Sequence, residues 1–91
     1  MIEVKGTFDE RFSGVVDALR RNFEDPGEVG ASVAVMHEGR LVVDIWAGHS
    51  DEEQTQPWES DTITNVWSTT KTMTAISALF LADRGELDFF K

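Results

Sequence analysis

Apolar positions in the first quarter of the chain fall at helical spacing. Phe8, Phe12, Val15, Val16, Leu19 and Phe23 line one stripe, which predicts an amphipathic helix. Thr7 with Glu10 three residues on has the form of a capping box, in which each side chain satisfies an orphan backbone N–H. Arg20 and Arg21 fall near the far end, where cations suit the helix dipole, and Asp25-Pro26-Gly27 stops the element. The spacing then changes. Residues 31–36 (Ala-Ser-Val-Ala-Val-Met) and 41–47 (Leu-Val-Val-Asp-Ile-Trp-Ala) are β-branched and alternating, as strands are. Glu38-Gly39 between them fits a tight hairpin turn, because Gly39 can take positive φ. In this hairpin Val33 and Val35 share a face, Leu41, Val43 and Ile45 share a face, and Asp44 and Trp46 point the other way.

Residues 48–61 are polar and read as a loop, punctuated by Pro57 and a Trp58 of buried character. Residues 62–67 form a short extended approach. A second helix runs from about Ser68 to Arg84, with Gly85 as its cap. Met73, Ile76, Leu79, Phe80 and Ala82 make it apolar round much of its circumference, which is how a helix in the middle of a larger protein reads. The fold class is therefore α+β: helix, antiparallel hairpin, helix. A two-stranded sheet is marginal alone. Three tryptophans, six phenylalanines and an apolar helix want more cover than these elements provide. We expect the sheet to be completed by further residues of the same polypeptide or by a partner chain, and the 91 residues alone to fold poorly.

Composition narrows the chemistry. No cysteine is present, so disulfides, thiolate metal sites and thiol catalysis are excluded. His37 and His49 lack metal-ligand spacing, and no metal or other cofactor is expected. The net charge of −9 disfavours a nucleic-acid partner, which needs a basic stripe. No apolar run reaches the length of a membrane span, and the segment from Met1 to Gly6 lacks the pattern of a secretory leader, so a cytoplasmic protein without membrane contact is expected.

One motif carries a mechanism. Ser68-Thr69-Thr70-Lys71 opens the apolar helix, and residues three apart on a helix share a face. The dipole at a helix start disfavours an ammonium, and burial at the edge of an apolar helix disfavours it further, so Lys71 can take the proton of Ser68. The activated serine can then attack an acyl carbon, with its own backbone N–H as one oxyanion donor. Ser-x-x-Lys alone is weak, because two such common residues meet at that spacing by chance in roughly one chain of this length in two or three. The plain alternative makes Ser68 a helix N-cap and Lys71 a surface residue. Trp46 and Trp58 read as packing residues. Trp67, next to Ser68, has the best claim to line a substrate site. Both histidines read as solvent-exposed, Asn65 as a residue that positions its loop, and Asp44 as a partner for Arg40 or a distant basic group.

The order of elements adds weight. Helix, hairpin and polar loop are followed by Asp61-Thr62-Ile63-Thr64-Asn65-Val66-Trp67, by Ser68-Thr69-Thr70-Lys71 and the apolar helix, and by Gly85-Glu86-Leu87-Asp88. This order resembles the N-terminal part of the serine β-lactamase and penicillin-binding-protein superfamily, and most closely the class C β-lactamase-like esterases, or family VIII carboxylesterases. The resemblance covers residues 7–91 and about the first quarter of a typical member. It implies a β-lactamase/transpeptidase-like fold, with residues 1–91 as an N-terminal fragment of one serine hydrolase domain. It makes Ser68 the acyl-accepting nucleophile and Lys71 the proton-handling residue. The implied substrate is a small ester or, as alternatives, a β-lactam or a D-Ala-D-Ala peptide. A non-catalytic binding or structural module of the same fold is the other alternative. The family's Tyr-x-Asn or Tyr-x-Ser element has no counterpart in a chain without tyrosine, nor has the C-terminal strand that supplies the second oxyanion donor. Phe89-Phe90-Lys91 stands where members continue with an Asp-x-Pro-Val-like turn. The remainder of the same enzyme, or a complementary chain, is therefore the expected source of both.

Overall fold

The computed structural model describes residues 2–90. Met1 and Lys91, which took part in the readings of the two chain ends, lie outside the described residues. The order of elements is strand β1 (Val4–Phe8), a 3-10 turn (Glu10–Phe12), helix α1 (Ser13–Asn22), strands β2 (Gly30–His37) and β3 (Arg40–Gly48), a second 3-10 turn (Trp67–Thr69) and helix α2 (Thr70–Asp83).

The start of the chain corrects the sequence expectation. Residues 4–8 form a strand antiparallel to β3, with Val4 opposite Ala47 and Phe8 opposite Val43. Thr7 lies within it, opposite Asp44, so the Thr7–Glu10 capping box does not form. Asp9 caps instead: its carboxylate accepts the Arg11 N–H at 2.9 Å and pairs with the Arg11 guanidinium at 3.1 Å. Phe8 leaves the helical stripe for the sheet. The stripe that remains, Phe12, Val15, Val16, Leu19 and Phe23, packs on the sheet as its spacing requires.

Strand β3 is central in the order β1-β3-β2. Glu38 and Gly39 both take positive φ, at 52° and 78°, which closes the β2–β3 hairpin with the turn whose twist matches its strands. One residue of β3 is extra. Val35 pairs with Val43 and Met36 with Leu41, leaving Val42 as a bulge. The bulge puts Val42 and Val43 into the core together and turns Leu41 out to 54% exposure, so Leu41 does not share a face with Val43 and Ile45 as regular alternation implies. The buried core is Val16 and Leu19 of α1 against Val42, Val43, Ile45 and Ala47 of β3. The opposite sheet face carries Ser32, Ala34 and Met36 in solvent, with Asp44 and Trp46 half-buried. Among the described residues Asp44 makes no ion pair with Arg40 or another cation.

Helix α2 spans the expected residues but lies clear of this core. None of its side chains is buried, and Met73, Ile76, Leu79 and Phe80 are each more than half exposed. Its principal packing partner is the 3-10 turn before it. The Cα radius of gyration is 17.1 Å, against about 12 Å for a compact chain of this length. The accessible surface is 7351 Å², against roughly 5,300 Å² for a compact monomer of this mass. The helix ends as Gly85 suggested. Gly85 has φ +78°, its N–H donates to the Ala82 carbonyl, and the Glu86 N–H donates to the Leu81 carbonyl, the paired bonds of a Schellman motif.

Two outcomes follow from this packing. Gly48 ends β3 with φ +85°, and a Cβ there would collide with the Val29 carbonyl oxygen and stand 2.8 Å from the Phe23 ring. Gly48→Ala therefore lowers stability by at least about 1–3 kcal/mol, read as a lowered denaturation midpoint. In the 91-residue polypeptide, amide hydrogen exchange is slower in β3 and α1 than in α2. Protection of α2 equal to that of β3 would contradict the exposed helix.

Candidate active site

The segment leading to the Ser-x-x-Lys motif is set by short local bonds. The Glu59 N–H donates to the Thr62 hydroxyl oxygen at 2.8 Å, and the Thr62 N–H returns to the Glu59 carbonyl at 3.2 Å, closing a turn over 59–62. Asn65 then uses its side-chain oxygen to accept the Trp67 N–H at 3.0 Å. Between them Val66 sits in the sparsely used bridge region, at φ −105° and ψ 5°. Trp67 itself is left-handed, at φ +50°. A bulky L-residue held there costs of order 1–3 kcal/mol, and such residues concentrate at functional sites. The Thr69 N–H donates to the Val66 carbonyl at 3.0 Å, and the Thr70 N–H is shared between the Trp67 and Ser68 carbonyls as α2 begins.

Ser68 is the middle residue of this 3-10 turn and Lys71 the second residue of α2. Side chains three apart eclipse one another in a 3-10 turn and are neighbours in an α-helix, so the spacing favours one side of the helix start for both groups. Both are exposed. Among the described residues no hydrogen bond joins the Ser68 hydroxyl to the Lys71 amine, and neither group has another partner. The Ser68 backbone N–H is also without a protein acceptor among the described residues, because the first bond of the turn is made by Thr69. The N-cap position of α2 belongs to Thr69, which makes no side-chain capping bond, so Ser68 is not the conventional N-cap of the plain alternative. Lys71 does not sit at a buried edge as expected, because α2 stands away from the sheet. Trp67 is 79% exposed beside Ser68, whereas Trp46 and Trp58 are half-buried. His37 is exposed at the hairpin. His49 is half-buried rather than exposed, because it bridges Pro57 and its N–H donates to the Val29 carbonyl.

The loop before the site holds a latch that the sequence analysis did not single out. The Asp51 carboxylate accepts the Thr55 hydroxyl, the Thr55 N–H at 3.0 Å and the Gln56 N–H at 3.0 Å. The Ser50 N–H donates to the Gln56 carbonyl at 2.9 Å, and the Trp58 N–H donates to the Gly48 carbonyl at 2.9 Å, which fastens the loop to the end of β3. The Thr55 hydroxyl, followed by the Gln56 N–H, holds the Asp51 carboxyl below the usual carboxylate range against a smaller opposing effect of burial. An Asp at the head of a polar loop with Thr four residues on is the signal that marks such a turn.

The chain is similar to known proteins over most of its length. The beta-lactamase family model matches residues 16–89. The esterase/beta-lactamase LipL of Mycobacterium tuberculosis (strain ATCC 25618 / H37Rv) is 41% identical over 86 residues, which cover 94% of this chain and 20% of LipL. A crystal structure of a family VIII carboxylesterase superposes with a TM-score of 0.92 at 45% identity, over 97% of this chain and 24% of the esterase. The chain thus spans between a fifth and a quarter of the length of these relatives.

The latch gives a pH expectation. Because the folded value of Asp51 is lowered, its contribution to loop stability is complete above the ordinary Asp range, near pH 3.9, and is lost as pH falls through the lowered value. In an NMR titration the Asp51 carboxyl has its midpoint below that of a model Asp, and Thr55→Val moves it upward. A midpoint unchanged by Thr55→Val would remove the hydroxyl as its main cause.

Proposed function

Because the chain belongs to the beta-lactamase family, and its α+β architecture matches the N-terminal part of that fold, we propose that it supplies the nucleophile of a serine hydrolase acting on small esters. The observation that carries this reading is the turn at the start of α2. It holds a Ser68 hydroxyl and a Ser68 N–H, both without a partner among the described residues, and the Lys71 amine three positions on, in a segment of close likeness to an esterase.

In this mechanism Ser68 Oγ attacks the ester carbonyl carbon and passes its proton to the Lys71 amine. The carbonyl oxygen takes up negative charge against the Ser68 N–H, an interaction that strengthens as the tetrahedral intermediate forms. Collapse of the intermediate breaks the bond to the leaving alkoxide, which receives a proton, and the acyl group stays on Ser68. Water then attacks the acyl-enzyme, releasing the acid and restoring the Ser68 hydroxyl. Trp67, exposed beside the nucleophile, offers an apolar wall to the acyl or alcohol group. The second oxyanion donor, and a tyrosine if the chemistry uses one, come from outside these residues, since the chain has no tyrosine. Cover over the apolar surface of α2 would exclude water from the space beside Ser68.

The name of LipL, which joins esterase to beta-lactamase, favours a β-lactam as the second substrate class. The same attack would open the lactam ring and leave its carbonyl on Ser68.

A fluorophosphonate probe applied to the complete protein labels Ser68, and Ser68→Ala abolishes the label. Lys71→Ala lowers p-nitrophenyl ester turnover by roughly 10²–10⁴-fold, the range for loss of a positioned proton acceptor. Retention of label in Ser68→Ala would end this reading. Absence of turnover in the complete protein would leave a non-catalytic module of the same fold.

A further inference from the structure

We infer that Asn65 is a positioning residue for Ser68, acting through the left-handed backbone of Trp67. The inference rests on the proposed role of Ser68 as nucleophile. Three observations meet at this point. Trp67 has φ +50°, a conformation that its Cβ opposes. The residue is 79% exposed, so packing of its side chain does not hold the backbone there. On the N-terminal side of the strained residue, the Asn65 side-chain oxygen accepts the Trp67 N–H at 3.0 Å, closing an Asx-type turn across Val66.

The strain sits one peptide before the nucleophile. If Trp67 relaxed to ordinary negative φ, the peptide joining it to Ser68 would swing. The Ser68 N–H and the Cα–Cβ bond that carries the hydroxyl would then change direction together. The turn as built leaves that N–H without an acceptor among the described residues, since Thr69 makes the bond to Val66, and this is the state an oxyanion donor requires. Asn65 is itself exposed and absent from the buried core, so its hydrogen bond to Trp67 is the contact through which it acts.

The test compares three substitutions in the complete protein: Asn65→Asp, which keeps an acceptor at the same reach, Asn65→Leu, which removes it at similar volume, and Asn65→Gln, which displaces it by one methylene. Asn65→Leu and Asn65→Gln lower kcat and the rate of fluorophosphonate labelling by at least about tenfold and up to roughly a hundredfold, the effect of a small misplacement of a reacting group. KM and thermal midpoint stay near wild type, and Asn65→Asp restores most of the rate. Wild-type labelling rates in both Asn65→Leu and Asn65→Gln would overturn the inference, as would equal losses in all three variants, or losses that follow the fall in thermal midpoint. Ser68→Ala separates the two readings. Label lost in Ser68→Ala but unchanged in Asn65→Leu defeats the positioning role alone, whereas label retained in Ser68→Ala defeats the nucleophile and the positioning role with it.

Discussion

Val16 and Leu19 of α1 press on Val42, Val43, Ile45 and Ala47 of β3, and this contact orders the first half of the chain. It is small, six buried side chains, with the half-buried edges of β1 and β2 around it. Each element is placed by reference to it. Strand β1 pairs along one side of β3 and β2 along the other, and the polar loop is fastened to the end of β3 at Gly48. The turn carrying Ser68 follows that loop. Its local geometry, from Asn65 to Thr70, is closed by its own hydrogen bonds and needs no help from the core.

The contrast between the two helices is one of pattern. In α1 the apolar residues form one stripe, and one sheet face suffices to cover it. In α2 they surround the axis, so no single neighbour could bury them, and here they remain in solvent. A helix of that composition is stable in water only with chain on several sides. For a hydrolase this has chemical meaning. On the proposed role of Ser68 and Lys71, which stand at the start of α2, chain that covers this helix would also lie close to the substrate.

Much of this was legible in the residues themselves. The hairpin, its Glu38-Gly39 turn, the span of α2 and its glycine cap all follow from local rules that tertiary context did not overturn. What escaped was decided by competition. Val4–Phe8 is five residues long with a glycine inside it, too short to signal a strand, and Thr7 with Glu10 offered the same stretch to a helix. The sheet won because β3 had an unpaired edge and Asp9 could cap the turn instead. The left-handed Trp67 could not be read, since no rule of propensity places a tryptophan at positive φ. Its visible trace was Asn65, a residue type that folds its side chain back on the backbone two residues ahead.

The bulge at Val42 acts as a phase shift in the code of the strand. Beyond it the rule of inward and outward residues holds from Val43 to Ala47, while Arg40 and Leu41 before it are both exposed, so the alternation cannot be run back through Val42. A map of tolerated substitutions drawn from alternation alone would therefore be inverted where the strand leaves its turn. Polar residues would be accepted at Leu41, which faces solvent, and refused at Val42, which does not. An alignment that keeps the hydrophobic pattern of β3 in step with a regular strand must open a one-residue gap at this position, and its placement decides whether the distal end of the hairpin is read correctly.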